Sequence, residues 1–177
     1  MNITQFAFNK IASPYEFKPF NCNDRDLNDF LITDSKKFLA DLLAVTYVIE
    51  SDSQTVAFFS LSNDKISIKD FKDNGIRWKN FMNLKSSKSL SSFPAIKIGR
   101  LAVDCGYQGN RIGAQILDYI KGMSVDNTKT ACKFITVDAY KDSLGFYEKN
   151  DFKFLTEKDV NKDTRQMYFD LLPYSQL

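Results

Sequence analysis

The stretch Gly99-Arg-Leu-Ala-Val-Asp-Cys-Gly-Tyr-Gln-Gly-Asn-Arg-Ile-Gly-Ala114 decides the fold of this 177-residue chain. It predicts a strand that ends near Val103, a glycine-bearing turn, and an amphipathic helix with apolar positions at Ile112 and Ile116. A further strand is predicted at 133–138. A strand, a helix and a second strand in this order form a β-α-β unit, whose two strands are parallel neighbours. The chain is therefore expected to have an α/β fold.

The other elements are placed by apolar periodicity and turn signals on both sides of this unit. The predicted helices are 24–41, capped by Asn23 or Asp24, 111–123 and 142–150; the predicted strands are 44–50, 55–61, 95–103, 133–138, 152–155 and 166–171. The segment 51–54 is typical of a hairpin, and hairpins require antiparallel neighbours. The expected architecture is therefore an α/β (α+β) plan with a mixed sheet.

A long connection is expected over 62–93, where seven basic residues stand against three acidic ones, an excess of four positive charges. Its end, KSSKSLSS at 85–92, is typical of an exposed loop. Scattered lysines are usually solvated, so the favoured interpretation of this connection is a helix and loop that face water. The alternative is a basic surface that contacts nucleic acid.

The composition excludes several function classes. The chain contains no histidine, so Ser-His-Asp and Cys-His nucleophiles and most catalytic zinc sites are ruled out. A net charge of +2 does not by itself indicate nucleic acid or an anionic membrane as a partner. The three cysteines, Cys22, Cys105 and Cys132, are widely spaced and match neither a disulfide framework nor a CxxC site. We expect reduced thiols and no metal.

Length and hydropathy indicate one globular domain over 1–177, which includes the basic connection 62–93. The apolar runs, such as Leu42 to Val45, are too short to span a bilayer, and the first ten residues lack the pattern of a leader. We therefore expect a soluble protein of the cytosol.

The start of the helix at 111–123 offers an anion-binding site. The first amides of a helix have no internal partner and lie at the positive end of its dipole. Gly109 and Gly113 carry no side chain that would hold a phosphate away from this backbone. The sequence therefore predicts a pyrophosphate site at 108–114, although glycines near a helix start are also common without a ligand. The pattern is neither a Walker loop nor GxGxxG.

Two motifs resemble those of the GNAT acetyltransferases. The run from Arg100 to Ala114 is similar to the acetyl-coenzyme A signature [RQ]-x-x-G-x-[GA], with matches on or beside the pattern at Gln108, Gly113 and Ala114. Arg111 stands where the family usually has glycine, and an arginine there can pair with phosphate.

The later motif of the family, which ends in F-Y-E-K-x-G-F, is similar to 138–152. The matching residues are Phe146, Tyr147, Glu148, Lys149 and Phe152, and Asp151 stands where glycine is usual. The final strand, Met167 to Leu171, is also similar. The resemblance implies a GNAT-like, mostly antiparallel central sheet flanked by helices, with one parallel pair splayed for the cofactor.

A narrower resemblance involves 20–31, 59–62 and 93–104. Together these segments resemble the GNAT branch that includes toxins of toxin–antitoxin pairs, which acetylate the amino group of aminoacyl-tRNA. Because unrelated substrates share one scaffold, membership of the branch does not determine the substrate.

The resemblance implies that acetyl-CoA lies between the strands 95–104 and 133–138. Its pantetheine arm would pair with backbone on the first of these strands, and its pyrophosphate with amides of the following turn. An amide near Leu101 would stabilise the developing oxyanion. Ser143 would pack against the thiol end, although helix packing explains a serine there equally well. The implied cofactor residues are Leu101, Ala102, Val103, Gln108, Gly109, Asn110, Arg111, Ile112, Gly113, Ala114 and Ser143.

Tyr147 is the candidate general acid that protonates the departing thiolate, because a phenol is protonated at neutral pH. The alternative interpretation of Tyr147 is an aromatic residue of the core without a catalytic role. No general base is identified: Glu50 and Asp104 are candidates through water, but solvated strand-end carboxylates are the favoured interpretation. An α-amino group, with a pKa near 8, is partly neutral without a base and suits such an enzyme better than lysine. Cys105 is assigned no role.

The expected function is acetyl-CoA-dependent N-acetylation of a primary amine by direct transfer. The acceptor is a small molecule, a protein or aminoacyl-tRNA, the last being the toxin alternative. Further candidate partners are a second copy of the chain, which would form a homodimer, and a small antitoxin protein. No membrane partner is expected. The alternative from another class is a non-catalytic acyl-CoA-binding module, suggested by the two departures from glycine at Arg111 and Asp151.

Overall fold

A computed structural model describes residues 1–71, 90–126 and 130–175. The described strands are β1 (Ala7–Lys10), β2 (Val45–Glu50), β3 (Thr55–Ser67), β4 (Ser92–Val103), β5 (Phe134–Tyr140), β6 (Lys153–Phe154) and β7 (Thr164–Asp170). The described helices are α1 (Arg25–Asp29), α2 (Ser35–Ala40), α3 (Ile112–Asp126), α4 (Leu144–Glu148) and α5 (Leu171–Tyr174). A π-helical turn, Phe30–Asp34, joins α1 to α2, and 3-10 turns cover Ile3–Gln5, Ile68–Phe71 and Lys141–Ser143.

The seven strands form one sheet in the order β1-β2-β3-β4-β5-β7-β6. β1 with β2, β2 with β3, β5 with β7 and β6 with β7 pair antiparallel, and β4 with β5 is the parallel pair. At the start of this parallel pair, the Lys133 amide donates to the Pro94 carbonyl at 2.9 Å. The predicted mixed, mostly antiparallel sheet is therefore confirmed, whereas its splaying around a cofactor stays a prediction.

The chain divides into two compact units, of which the first comprises 1–62 and 98–122. Its core contains Phe58 and Val48 from neighbouring strands and Phe30 and Leu31 from the π-helical turn, all at most 4% exposed. Burial of these large side chains is the main stabilising contribution in this unit.

The predicted helix at 24–41 is confirmed as one helical segment, with Asp24 as its cap. The Asp24 carboxylate accepts a hydrogen bond from the Leu27 amide at 3.1 Å, as an N-cap residue does. The predicted hairpin at 51–54 is also confirmed, and the Ser51 amide donates to the Gln54 carbonyl at 3.0 Å.

The second unit comprises 63–97 and 123–177. Phe134 on β5 packs with Phe93 on β4 and Ile66 on β3 in its core, all at most 2% exposed. On β7 the buried Arg165 donates to Asp159 at 3.1 Å and lies 4.0 Å from the centre of the Phe154 ring. These contacts hold the segment between β6 and β7 against the sheet.

Some elements differ from the sequence prediction. β3 continues to Ser67, not 61, because Ile66 is fully buried while the polar residues around it face outward. β1 and α5 were not predicted; β1 is only four residues long and too polar to show a strand pattern. Residues 72–89 of the predicted connection, and with them most of the predicted loop at 85–92, lie outside the described residues. Within the described part of the chain, no helix is long and apolar enough to cross a membrane.

Candidate active site

The turn that follows β4 is organised by Asp104, which is only 8% exposed. Its amide donates to the Val56 carbonyl at 2.9 Å and so continues the pairing of β4 with β3. Its carboxylate accepts from the amides of Asn21 and Gly106, each at 2.9 Å. Hydrogen bonds to an ionised acceptor are among the stronger ones in proteins. Asp104 therefore fixes where the turn leaves the strand.

The carbonyl of Asp104 accepts from the amides of Tyr107 at 2.8 Å and Gln108 at 3.1 Å. The Gln108 side chain donates to the Val103 carbonyl at 3.0 Å, and the Asn110 side chain donates to the Tyr107 carbonyl at 3.2 Å. The amide of Gln108 is thus already engaged within the turn. In this structure Gln108 and Asn110 shape the turn through their side chains.

Two residues of the turn have left-handed backbone conformations. Gly109 has a φ of +78° and Arg111 a φ of +60°. Left-handed backbone costs roughly 1–2 kcal/mol for a residue with a Cβ and little for glycine. Arg111 therefore keeps the backbone that a glycine would adopt there and adds an exposed cationic side chain. The departure from the family pattern at Arg111 leaves the turn intact.

Helix α3 begins directly after Arg111, whose carbonyl accepts from the Gln115 amide at 3.1 Å. The preceding amides, those of Ile112, Gly113 and Ala114, belong to the first turn, where a helix provides no acceptor of its own. Ile112 is 1% exposed and anchors this turn in the core. The helix start therefore presents amides and a positive dipole end, which suit a phosphate.

The cofactor residues predicted on β4 alternate in burial. Ala102 is 5% exposed and lies in the core, while Leu101 and Val103 are half-buried. Next to them, a Cβ on Gly99 would lie 3.1 Å from the Ser60 hydroxyl oxygen, which explains the glycine in this strand. Because the side chain of Ala102 is committed to packing, a ligand would meet this residue through its backbone.

Tyr147 lies on α4 in the second unit and is 6% exposed. Its ring makes edge contacts with Phe146 and Phe152, with centroids 5.0 and 5.3 Å away. Burial raises the pKa of Tyr147 well above its ordinary value of 10. Among the residues that the structure describes, none hydrogen-bonds to its hydroxyl. Tyr147 is thus a packed aromatic residue whose protonated hydroxyl makes no such bond.

The rest of the second motif positions this tyrosine. Asp151 has a φ of +68° and, like Arg111, adopts the conformation expected of the usual glycine. The chain then turns back, and the Phe152 amide donates to the Tyr147 carbonyl at 3.1 Å. Ser143 stands half-buried at the start of α4, and its side chain does not cap the helix.

The two carboxylates considered as bases are buried, so the interpretation of solvated strand ends was wrong. Asp104 is engaged in the turn, and Glu50 is 5% exposed. Glu50 accepts from the Asn9 amide group at 3.0 Å and from the Thr55 hydroxyl at 3.4 Å. The sequence did not indicate the role of Asp104 in the turn, because its partner Asn21 lies 83 residues away along the chain.

The cysteines are free, with Cys22 buried, Cys105 exposed and Cys132 between these extremes. Burial raises the pKa of Cys22 and of Cys132, which makes both poor nucleophiles. Within the described ranges, no group of three or more cysteine, aspartate or glutamate side chains is arranged to hold a metal ion.

The strand, turn and helix start, and separately the motif around Tyr147, are the segments in which the sequence resembles the GNAT acetyltransferases. The sequence profile described as "Acetyltransferase (GNAT) domain" matches residues 45–168. The chain belongs to the GNAT acetyltransferase family. The expected class is therefore confirmed: an N-acetyltransferase with acetyl-CoA as the donor.

Comparison with curated proteins by sequence finds no match, whereas several solved structures share the fold. AtaTR bound with acetyl-CoA is 16% identical with a TM-score of 0.75, covering 97% of this chain and 96% of that one. AtaT complexed with acetyl-methionyl-tRNAfMet is 16% identical with a TM-score of 0.74, covering 97% and 98%. The KacTA–DNA complex is 19% identical with a TM-score of 0.67, covering 97% of each chain. These likenesses confirm the GNAT fold.

Proposed function

We propose that this enzyme acetylates the α-amino group of aminoacyl-tRNA and acts as the toxin of a toxin–antitoxin pair. The observation that carries the proposal is the extent of the fold likeness. It covers at least 96% of both chains for AtaTR and for AtaT with acetyl-methionyl-tRNAfMet. It thus includes the helical segment 25–40, which lies outside the region matched by the family profile.

In this proposal the turn after β4 holds the pyrophosphate of acetyl-CoA. Gly109, Asn110 and the first residues of α3 contribute amides, and the dipole of the 15-residue helix favours the anion. Arg111 adds a guanidinium, which pairs well with phosphate. Gln108 and Asp104 act on the backbone of the turn rather than on the ligand. The half-buried Leu101 and Val103 pair with the pantetheine arm through their backbone.

The proposed reaction is a direct transfer. The neutral amine nitrogen attacks the thioester carbonyl carbon, so that a C–N bond forms and the C–S bond breaks. The Leu101 amide stabilises the negative charge that develops on the carbonyl oxygen. The sulfur leaves as thiolate and receives a proton from Tyr147, the excess proton on the nitrogen passes to water, and solvent returns a proton to the Tyr147 phenolate. The reaction yields an N-acetyl amide and the free thiol.

The raised pKa of Tyr147 has two consequences for this role. Burial keeps the hydroxyl protonated throughout the neutral range. Burial also makes the phenol a weaker acid than free tyrosine, so donation is most favourable when the acceptor is a fully developed thiolate. An α-amine with a pKa near 8 is partly neutral at pH 7 and reacts without a dedicated base. This accords with the engagement of both Glu50 and Asp104 in structural hydrogen bonds.

The alternative of a non-catalytic acyl-CoA-binding module is less well supported. It was suggested by the departures from glycine at Arg111 and Asp151. Both residues keep the left-handed backbone of a glycine, so neither substitution removes the local geometry that the motif requires. The protonated hydroxyl of Tyr147 is also retained.

The test is acetylation in a purified system. The full chain, labelled acetyl-CoA and a mixture of aminoacylated tRNAs should yield N-acetyl-aminoacyl-tRNA, and Tyr147→Phe should yield at least tenfold less. Tyr140→Phe, which alters a tyrosine that is 53% exposed, is the matched control and should behave as wild type. Acetylation of free amines with no transfer to tRNA would overturn the choice of acceptor and leave the enzyme class intact.

The proposal extends to the cellular setting. We place the enzyme in the cytosol, as a homodimer held inactive by a small antitoxin protein. Expression of the chain alone should arrest growth, and Tyr147→Phe should relieve the arrest. Normal growth with active wild-type enzyme present in the cell would contradict the toxin role.

A further inference from the structure

Arg100 occupies an unusual position on β4, directly before Leu101. Its guanidinium carbon lies 5.1 Å from the centre of the Phe30 ring. Phe30 is 4% exposed and opens the π-helical turn between α1 and α2, a type of irregularity that is frequent at functional sites. Stacking on an aromatic face holds the planar group in one orientation.

The hydrogen bonds of this guanidinium are incomplete. Arginine carries five N–H donors. One Nη1 hydrogen bond goes to the Gly99 carbonyl at 2.8 Å, and Nε is buried without a hydrogen-bond partner. Among the described residues, Nη2 makes no hydrogen bond. Buried donors in native proteins nearly always have a partner, so an unpaired one requires an explanation.

An opposite charge lies beside this group but does not satisfy it. The Asp26 carboxylate is 3.9 Å from Nε, beyond hydrogen-bonding distance, and the Asp26 side chain is 68% exposed. The Arg100 side chain is 38% exposed, so both groups can be reached from solvent. Together they present a donor edge and an acceptor edge with no net charge.

A neutral pair of this kind suits a ligand that carries one acceptor and one donor close together. A phosphate would leave the Asp26 carboxylate facing another anion, which is unfavourable. An α-aminoacyl group fits both edges: its carbonyl oxygen accepts from the guanidinium, and its amine donates to the carboxylate. The next residue along β4, Leu101, carries the amide assigned to the oxyanion. The amine would therefore be held beside the thioester.

We infer that Arg100 and Asp26 are specificity-determining residues that recognise the α-aminoacyl unit of the acceptor. This inference rests on the proposed function and adds how the enzyme distinguishes its acceptor from other amines. Arg100 binds the carbonyl next to the amine, and Asp26 binds the amine itself. A simple alkylamine, which lacks the carbonyl, is a poorer acceptor for this enzyme.

The experiment compares two acceptors, leucinamide and 3-methylbutylamine, which differ only by the carboxamide. Thiol release from acetyl-CoA gives kcat/KM for each, and the ratio of the two values is the readout. Comparing this ratio between variants cancels the difference in amine pKa. The wild type should favour leucinamide, and Arg100→Met and Asp26→Asn should each lower the ratio by at least threefold. The control is Arg25→Met, because the Arg25 side chain is 94% exposed and, within the described part of the chain, pairs only with its helix neighbour Asp29.

The inference is overturned if both variants change the ratio of the two kcat/KM values by less than threefold. It is also overturned if the wild type does not prefer leucinamide to 3-methylbutylamine. Thermal unfolding distinguishes the proposed recognition role of Arg100 from a purely structural role. Because the loss of the hydrogen bond to the Gly99 carbonyl is offset by removal of the buried, unsatisfied Nε, Arg100→Met should unfold within about 4 °C of the wild-type temperature. Arg100→Lys, which keeps the charge but not the planar fork, should also lose the preference. If neither amine nor aminoacyl-tRNA is acetylated by the wild type, the proposed function itself fails, which is a distinguishable result.

Discussion

The carboxylate of Asp104 accepts a hydrogen bond from the backbone amide of Asn21 at 2.9 Å. Asp104 also holds the turn that leads to α3, so this contact joins the N-terminal segment to the turn assigned to the pyrophosphate. We predict that Asp104→Asn destabilises the fold by about 2–3 kcal/mol, the loss expected for hydrogen bonds to a charged group. Urea unfolding measures the stability, and calorimetry measures the affinity for coenzyme A, which should fall at least tenfold.

The matched control for this prediction is Asp52→Asn, at an exposed position in the hairpin turn. It makes the same chemical change and should alter neither stability nor affinity. Wild-type affinity for coenzyme A in Asp104→Asn would show that the turn keeps its shape without the carboxylate.

The parts of the fold that the sequence predicted are those set by local patterns. The periodicity around Ile112 and the polar turn at 51–54 each correspond to an observed element. The four-residue strand β1 has no such pattern and exists because it pairs with β2. The π-helical turn at Phe30 was likewise not predicted, because its extra residue is accommodated by tertiary packing rather than by any local signal.

The candidate site was predicted to a similar extent. Glycine positions and the aromatic motif identified the turn and Tyr147, because backbone freedom and aromatic spacing are visible along the chain. The engagement of Asp104 with Asn21 and of Arg100 with Phe30 depends on residues distant in sequence. Such contacts leave no periodic signal, and a single sequence does not show them.

Asp151 offers a test of left-handed backbone strain. Its φ of +68° is costly for a residue with a Cβ, although aspartate tolerates this region better than most residues. We predict that Asp151→Gly changes stability by at most about 1 kcal/mol in the stabilising direction, because relief of strain is offset by the greater freedom of the unfolded chain. Asp151→Ala should instead destabilise. Thermal unfolding of the pair checks the order, and equal stability of the two variants would contradict it.

Arg111 has the same left-handed backbone conformation as Asp151, but its replacement by glycine is predicted to affect binding of coenzyme A rather than stability. Arg111→Gly should also leave the fold intact, yet it removes a guanidinium assigned to phosphate, so we expect affinity for coenzyme A to fall about tenfold. The loss should shrink at high salt, because exposed charge pairs are screened. Calorimetry at two salt concentrations measures it. Tighter binding by Arg111→Gly would show that the side chain obstructs the site.

Tyr15 should contribute to a loss of stability at alkaline pH. Burial, and then the neighbouring carboxylate of Glu50, raise the pKa of Tyr15 from 10 to about 12. A group with a raised folded-state pKa contributes stability that is present below pH 10 and lost as the pH rises toward 12. The urea midpoint of the wild type should therefore fall across this range, and Tyr15→Phe should fall less steeply. Parallel curves for the two proteins would refute the assignment.

Tyr147 should affect activity without a comparable effect on stability. Its hydroxyl has no hydrogen-bond partner among the described residues, so Tyr147→Phe removes no such bond and should change the free energy of unfolding by less than about 1 kcal/mol. Turnover should nevertheless fall at least tenfold, with affinity for coenzyme A retained. A large loss of stability together with the loss of turnover would indicate that the hydroxyl is structural.

The pH dependence of acetyl transfer separates the titration of the acceptor from that of the enzyme. With an α-amine acceptor, kcat/KM should rise with a pKa near 8, because only the neutral amine reacts. Since burial raises the pKa of Tyr147 well above 10, the hydroxyl keeps its proton below that pH. The profile should therefore remain level between pH 9 and 10, with circular dichroism confirming that the protein stays folded. A decline in this interval that is absent from Tyr147→Phe would show that the hydroxyl titrates at its ordinary pKa and is not buried in the working enzyme.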